Sequence, residues 1–216
     1  MSSPLRPRLP QEPTPCECAS EAFFSDTELI ADCAFTGVVF PAFEREHFSV
    51  QGTCFTRCRF PGCTLRASQF ADVVFRGCDL SNVRFSGCGF HRVEFIDCKL
   101  VGADLSEGTL FHVLFERCKA ELVNLSEGKM RFVRFTGSLL RSASLDHCSL
   151  ERVGFSRCDL TLAELNRTPL GGISLADSLI DGIRVGEVSS RELKGLKVTR
   201  YQASELARML GIEIEE

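Results

Sequence analysis

The stretch that decides the fold is Ala103-Asp104-Leu105-Ser106-Glu107-Gly108-Thr109-Leu110-Phe111-His112-Val113-Leu114-Phe115-Glu116-Arg117-Cys118-Lys119-Ala120. Leu105, Leu110, Phe115 and Ala120 recur every five residues. Two places before each stands a smaller residue: Ala103, Gly108, Val113, Cys118. A period of five is neither the 3.6 of a helix nor the 2 of an ordinary strand. Working outward, every residue whose number is a multiple of five is apolar from Val50 to Val185, and Ile30, Phe35 and Phe40 share that phase. Only Arg45 breaks it. Each five-residue unit therefore turns one large and one small residue inward and three residues outward.

A second period of twenty lies inside the first. Phe35, Phe55, Phe75, Phe95, Phe115, Phe135 and Phe155 form one row, and Val73, Val93, Val113, Val133 and Val153 form another. Four units per coil give a square cross-section, and like stacks on like when successive coils run parallel, ~4.8 Å apart. The phase from 30 to 185 makes eight coils, a rod of about 38 Å. The chain has 18 Phe, one Tyr and no Trp, which suits a dry interior without partners for aromatic polar groups. Nine of the 12 cysteines, from Cys33 to Cys158, fall on the small inward positions. They read as buried reduced thiols acting as small hydrophobes.

The units Ala103-Asp104-Leu105-Ser106-Glu107 and Val123-Asn124-Leu125-Ser126-Glu127 resemble the A(D/N)LXX consensus of the pentapeptide-repeat family, over about residues 26–190. That resemblance implies an all-β solenoid, a right-handed quadrilateral β-helix, with no enzymatic activity and no cofactor. The tail Tyr201-Gln202-Ala203-Ser204…Leu210-Gly211-Ile212 is similar to the C-terminal tail of the quinolone-resistance (Qnr-type) members. Those pair tail to tail and bind DNA gyrase, and the albicidin-resistance protein is similar in design. The resemblance implies DNA gyrase and/or topoisomerase IV as partner, a homodimer through the C-terminus, and mimicry of DNA rather than contact with nucleic acid. The absence of a large second loop departs from the Qnr type.

The two ends and the break complete the organisation. Residues 1–25 hold five of the eight prolines in the first twenty positions and no secretory apolar core, so a disordered tail and a cytoplasmic location are expected. No apolar run reaches the roughly 18 residues of a membrane span. At Pro41–Phe48, with Arg45 at a central position and Phe43 and Phe48 at small ones, two arrangements are open. One is a distorted face with the large residues swapped inward. The other is a protruding charged loop offering Glu44, Arg45 and Glu46 to a partner. Residues 191–216 read as a cap and dimerisation module. Thr199 and Gln202 fit a capping box, a helix would run to Leu210, Gly211 suits C′, and Ile212-Glu213-Ile214 alternates like a short strand. Tyr201, Leu206, Leu210, Ile212 and Ile214 are the candidate dimer interface; a cap on a monomer is the alternative.

Among the four sides, the one centred on Leu65, Phe85, Leu105, Leu125, Leu145 and Leu165 is the most acidic. It carries Asp104, Glu107, Glu127, Asp146 and Glu164, with Glu44, Glu46 and Glu187, against Arg66, Arg84, Arg167 and Arg184. Duplex DNA bears one negative charge per ~1.7 Å of axis, about 20 over this rod, whereas the formal net charge is −4. Any mimicry rests on a local stripe and on rod shape. His47, His91, His112 and His147 read as surface groups, and the cysteine spacings of ten and twenty line a row rather than a tetrahedral metal site. The leading expectation is a gyrase-interacting protein that counters a topoisomerase poison; the alternative is a scaffold for another protein.

Overall fold

The computed structural model describes residues 3–16, 28–186, 192–209 and 211–215. Its core is a parallel β-solenoid. Phe35 pairs with Phe55, Phe55 with Phe75, Phe75 with Phe95, Phe95 with Phe115, Phe115 with Phe135 and Phe135 with Phe155, each step being one coil of twenty residues. The two sides centred on Phe60 and Leu65 are joined mostly by isolated bridges. Across the other two the strands Gln69–Arg76, Gly89–Ile96 and Thr109–Glu116 run continuously.

Stacking of identical residues converts directly into ring geometry. Successive rings of the Phe row lie 4.7–5.2 Å apart and nearly parallel. Across the cross-section the contacts are edge-on, as between Phe90 and Phe95 at 5.9 Å. Both arrangements suit the ring quadrupole. Each buried Phe or Leu contributes roughly 1.5–3 kcal/mol relative to exposure.

The thiols do more than fill space. Cys78, Cys98 and Cys118 donate from Sγ to the carbonyls of Phe55, Phe75 and Phe95 at 3.3–3.4 Å. Ser138 makes the same bond to Phe115 and Thr168 to Leu145. Ser, Thr and Cys therefore alternate at the small inward positions because each supplies a donor to a buried corner carbonyl. Burial pushes the Cys88 and Cys118 thiols up to about 12, so they stay protonated donors.

The corner after each centre takes a left-handed backbone. Asn82, Glu107, Leu122 and Glu127 have φ of 57–59°, and Gly102 has 65°. A side chain there costs roughly 1–2 kcal/mol. The inter-coil bond partly offsets it, as where Glu107 N–H donates to Ser126 O at 2.8 Å.

The break at 41–49 is not a protruding loop. Strand Glu44–Glu46 pairs in register with Thr64–Arg66, Arg45 opposite Leu65. Phe48 is buried at a small position in place of the large residue missing at 45, Arg45 is half-buried with its guanidinium 5.7 Å from the Phe48 ring, and Arg66 reaches Glu44 and Glu46 at 3.6 and 3.8 Å. The large residue moved by three positions, so the side stays flat.

The solenoid also runs past Val185. Leu170 N–H donates to Glu192 O, and Leu175 N–H to Lys197 O. The coil-to-coil offset is 22 residues there, against 19 where Leu80 N–H meets Lys99 O. The offset is still 19 where Leu165 N–H donates to Arg184 O, so it changes between Arg184 and Glu192. Leu193, Leu196 and Val198 pack on the core in this ninth, partial coil. Helix α1, Arg200–Met209, then closes the end. Its capping box is formed: Gln202 N–H donates to Thr199 Oγ1 and Thr199 N–H to Gln202 Oε1, at 3.2 and 2.8 Å. Gly211, at φ 74°, is the C′ residue: Gly211 N–H donates to Arg208 O and Ile212 N–H to Ala207 O. Ile212–Ile214 is not a strand but an exposed extension.

Candidate functional site

Three surfaces carry the chain's exposed chemistry. On the acidic side the five carboxylates stand in three different rows. Asp104 and Glu164 precede their centres, Asp146 follows its centre, and Glu107 and Glu127 take the left-handed corner one coil apart. Several are used internally. Asp104 accepts from Ser106 N–H and from Asn124 Nδ2, both at 3.1 Å. Asp146 accepts from Asn166 N–H and Nδ2 at 2.7 and 3.0 Å. Arg184 sits 2.8 Å from Glu164. Glu107 and Glu127 remain as exposed neighbours, about 4.8 Å apart along the axis.

At the C-terminal end, Tyr201, Ile212 and Ile214 are exposed, and Leu210 lies outside the described residues. Leu206 does not join them. It is 8% exposed and packed in the core cluster, because its face of α1 closes the open end of the rod. Gln202 Nε2 donates to the carbonyls of Leu175 and Ser178 at 2.9 and 2.8 Å, capping groups that no further coil would otherwise meet.

The third surface belongs to the N-terminal segment, expected to be disordered over 1–25. Residues 3–16 instead lie along the rod. Thr14–Cys16 pairs parallel with Cys33–Thr36, and Leu5 N–H and Arg8 N–H donate to His112 Nδ1 and Asp72 Oδ1 at 3.1 and 2.8 Å. Pro4, Pro7, Pro10 and Pro13 recur every third residue, and all are half-buried. Three residues per turn at 3.1 Å is polyproline II, ~9.3 Å per turn. Two coils of the rod measure ~9.6 Å. His112 and Asp72 stand two coils apart, as Leu5 and Arg8 stand one turn apart. The period of the prolines and the forty-residue spacing of the two acceptors were the signals available in the sequence.

The anchor residues are shielded. Asp72 and Arg92 form a bidentate pair with side chains 8% and 16% exposed. Burial raises the Asp72 carboxyl, but the Arg92 guanidinium and Arg8 N–H outweigh it and hold the group below its ordinary range. His112 is buried, stacked on Phe132 at 4.6 Å, and is not a surface histidine. Burial, then His91, Arg92 and Arg131, lower its pKa. Its neutral Nδ1 must accept the Leu5 N–H, so the contribution is present above the unfolded value of about 6.5 and is lost as pH falls below it. Amide exchange at Leu5, corrected for intrinsic rates, is expected to accelerate about fivefold on acidification through the His112 titration, the worth of a hydrogen bond of ~1 kcal/mol. Arg8, held by Asp72, should stay protected until the carboxylate range. Equal protection of Leu5 on both sides of the titration would disprove the link.

No helix among the described residues is long and apolar enough to cross a membrane. Comparison with known proteins bears on the repeat. A family model of the pentapeptide repeat region matches residues 53–124, 68–145 and 88–166. Among curated proteins nothing matches the chain. Among solved structures it is similar to a trypsin-treated variant of QnrB1, a plasmid-mediated fluoroquinolone resistance protein. That match has 19% identity, 86% of this chain and 99% of that one covered, and a TM-score of 0.34. It is similar also to HetL of Nostoc sp. strain PCC 7120, a pentapeptide repeat protein involved in heterocyst differentiation regulation. There the identity is 13%, the coverage 78% and 86%, and the TM-score 0.37. A pentapeptide repeat protein of the Arabidopsis thaliana thylakoid lumen follows at 18% identity, 57% and 62% coverage and a TM-score of 0.21. At these values none of the three bears on activity. The five-residue register, the twenty-residue coil and the family match over 53–166 make this chain a member of the pentapeptide-repeat family.

Proposed function

We propose that the chain is a non-catalytic protein-binding rod whose partner is DNA gyrase and/or topoisomerase IV, and that it counters a topoisomerase poison by occupying the DNA-binding surface. The observation that carries the reading is the exposed pair Glu107 and Glu127 at mid-rod. Like charges ~4.8 Å apart repel, and a cationic surface relieves them. The charge is far below that of a duplex, so shape supplies most of the fit and the pair sets the register. The exposed Tyr201, Ile212 and Ile214 support pairing of two rods through their C-terminal ends, which doubles the length offered to a dimeric topoisomerase.

The test is supercoiling by purified gyrase, with and without a cleavage-stabilising poison. Addition of the protein is expected to change supercoiling or reduce cleavage complexes. The double variant Glu107→Lys/Glu127→Lys is expected to lose at least tenfold in that effect at an unchanged melting temperature, since both residues are exposed. Asp104 is left intact because it holds the Asn124 amide and the Ser106 turn. An undiminished effect removes the pair from the mechanism.

A second reading has its own observation. On the adjoining side Leu122 and Leu162 occupy one edge and Leu139 and Leu179 the other, all exposed. DNA mimicry has no use for such a patch, and exposed apolar patches mark protein contacts. A scaffold for another protein is supported if the wild type leaves gyrase untouched.

A further inference from the structure

Residues 3–6 do not lie flat on the rod. Between them and the side of the Phe row is a groove of about 400 Å³. Arg6 of the strap lines it from above, and Arg134, Thr136, Ser156 and Arg157 line it from the rod, with Glu94 also in its wall. Among the described residues, three guanidiniums and one carboxylate line the groove, a cationic lining in a chain whose net charge is −4. Burial raises the Glu94 carboxyl, with Arg6 and Arg76 opposing. Gly154 matters here: a Cβ at that position would collide with the Arg134 guanidinium. The missing side chain lets Arg134 lie along the axis toward the next coil, where Ser156 and Arg157 are.

We infer that this groove binds a small phosphorylated molecule, with its phosphate held between Arg6, Arg134 and Arg157 and its body along the groove. A carboxylate offers two oxygens and is saturated by one guanidinium fork, whereas a phosphate can engage several. The volume lies in the range of small-molecule sites, ~300–1,000 Å³, and exceeds what inorganic phosphate fills. The Thr136 and Ser156 hydroxyls, half-buried on the floor, add neutral donors. Because Arg6 belongs to the strap and the other two to the rod, a bound phosphate ties one to the other.

Calorimetric titration of the full chain with pyrophosphate and with ADP tests this. Saturable one-to-one binding that weakens with salt is expected. Arg134→Ala and Arg157→Ala should each weaken it at least tenfold, and Arg6→Ala likewise. Gly154→Ala, which keeps every charge, should weaken it by displacing Arg134. Melting temperatures of Arg6→Ala and Arg157→Ala without ligand should match the wild type. ADP should also slow amide exchange at Leu5 and Arg8 severalfold, a readout independent of affinity. No saturable binding at millimolar ligand, or binding unchanged in Arg6→Ala and Arg134→Ala, overturns the site. A short single-stranded oligonucleotide held more tightly than ADP through the same arginines overturns the small-molecule assignment.

Discussion

Phe95→Asp abolishes the cooperative thermal transition of the rod. The Phe95 ring stacks between Phe75 and Phe115 at 5.0 and 4.8 Å and meets Phe90 edge-on. It is fully buried. Truncating such a ring costs about 3–5 kcal/mol from lost transfer and the cavity left behind. A carboxylate without a partner adds several kcal/mol more, because water cannot reach it. Total stabilities run about 5–15 kcal/mol, so the sum is comparable with the whole. Far-ultraviolet circular dichroism on heating is the measurement, and Phe95→Leu is the control, expected to melt cooperatively at a lower temperature. A Phe95→Asp variant that melts cooperatively at the wild-type temperature would sink the stacked-core account.

Gln202→Ala should release the C-terminal cap. One side chain serves three acceptor or donor roles: its Oε1 closes the capping box on Thr199, and its Nε2 meets the carbonyls of Leu175 and Ser178. Loss of a cap costs ~1 kcal/mol. Leu175 O keeps the Ser178 N–H as donor, so only the Ser178 carbonyl is left unsatisfied, at about 1–3 kcal/mol. The total of roughly 2–4 kcal/mol falls on one partial coil. Proteolysis should then cut within 192–199 while residues 50–165 stay protected. Gln202→Glu separates the roles, because it keeps the capping acceptor but turns a carboxylate toward two carbonyls. It should behave like Gln202→Ala. Wild-type resistance to proteolysis in both variants would place the closure elsewhere, on Leu206 alone.

The core is legible in the sequence because its rule is strict. Only one central position from 30 to 185, Arg45, departs from it, and its replacement, Phe48, stands three residues away. The corner residues are not legible: Arg117, Leu122, Glu127 and Phe132 all adopt positive φ, and no shared side-chain property marks them. Backbone bonds between coils impose that conformation, and those bonds are identical for every residue type. Periodicity places the cysteines inside, but their donor role is visible only in the company they keep, with Ser68, Ser138, Thr168 and Ser178 at equivalent positions. Leu206 is read from the sequence as a dimer contact because helical periodicity puts it on one face with Leu210 and does not say what covers that face. The acidic side can be counted from position modulo twenty. Its three rows, and the use of Asp104, Asp146 and Glu164 by Asn124, Asn166 and Arg184, need coordinates.

The strap over residues 3–16 alters the statistical character of the rod. A solenoid is a one-dimensional lattice in which each coil senses only its immediate neighbours, so its first coils fray independently of the fifth. Hydrogen bonds from one continuous segment to Asp32, Asp72 and His112 join the first, third and fifth coils directly. That is a coupling of range four in a lattice whose native range is one. Opening the first coil then carries the cost of releasing the fifth, and the N-terminal half melts as a single unit instead of layer by layer.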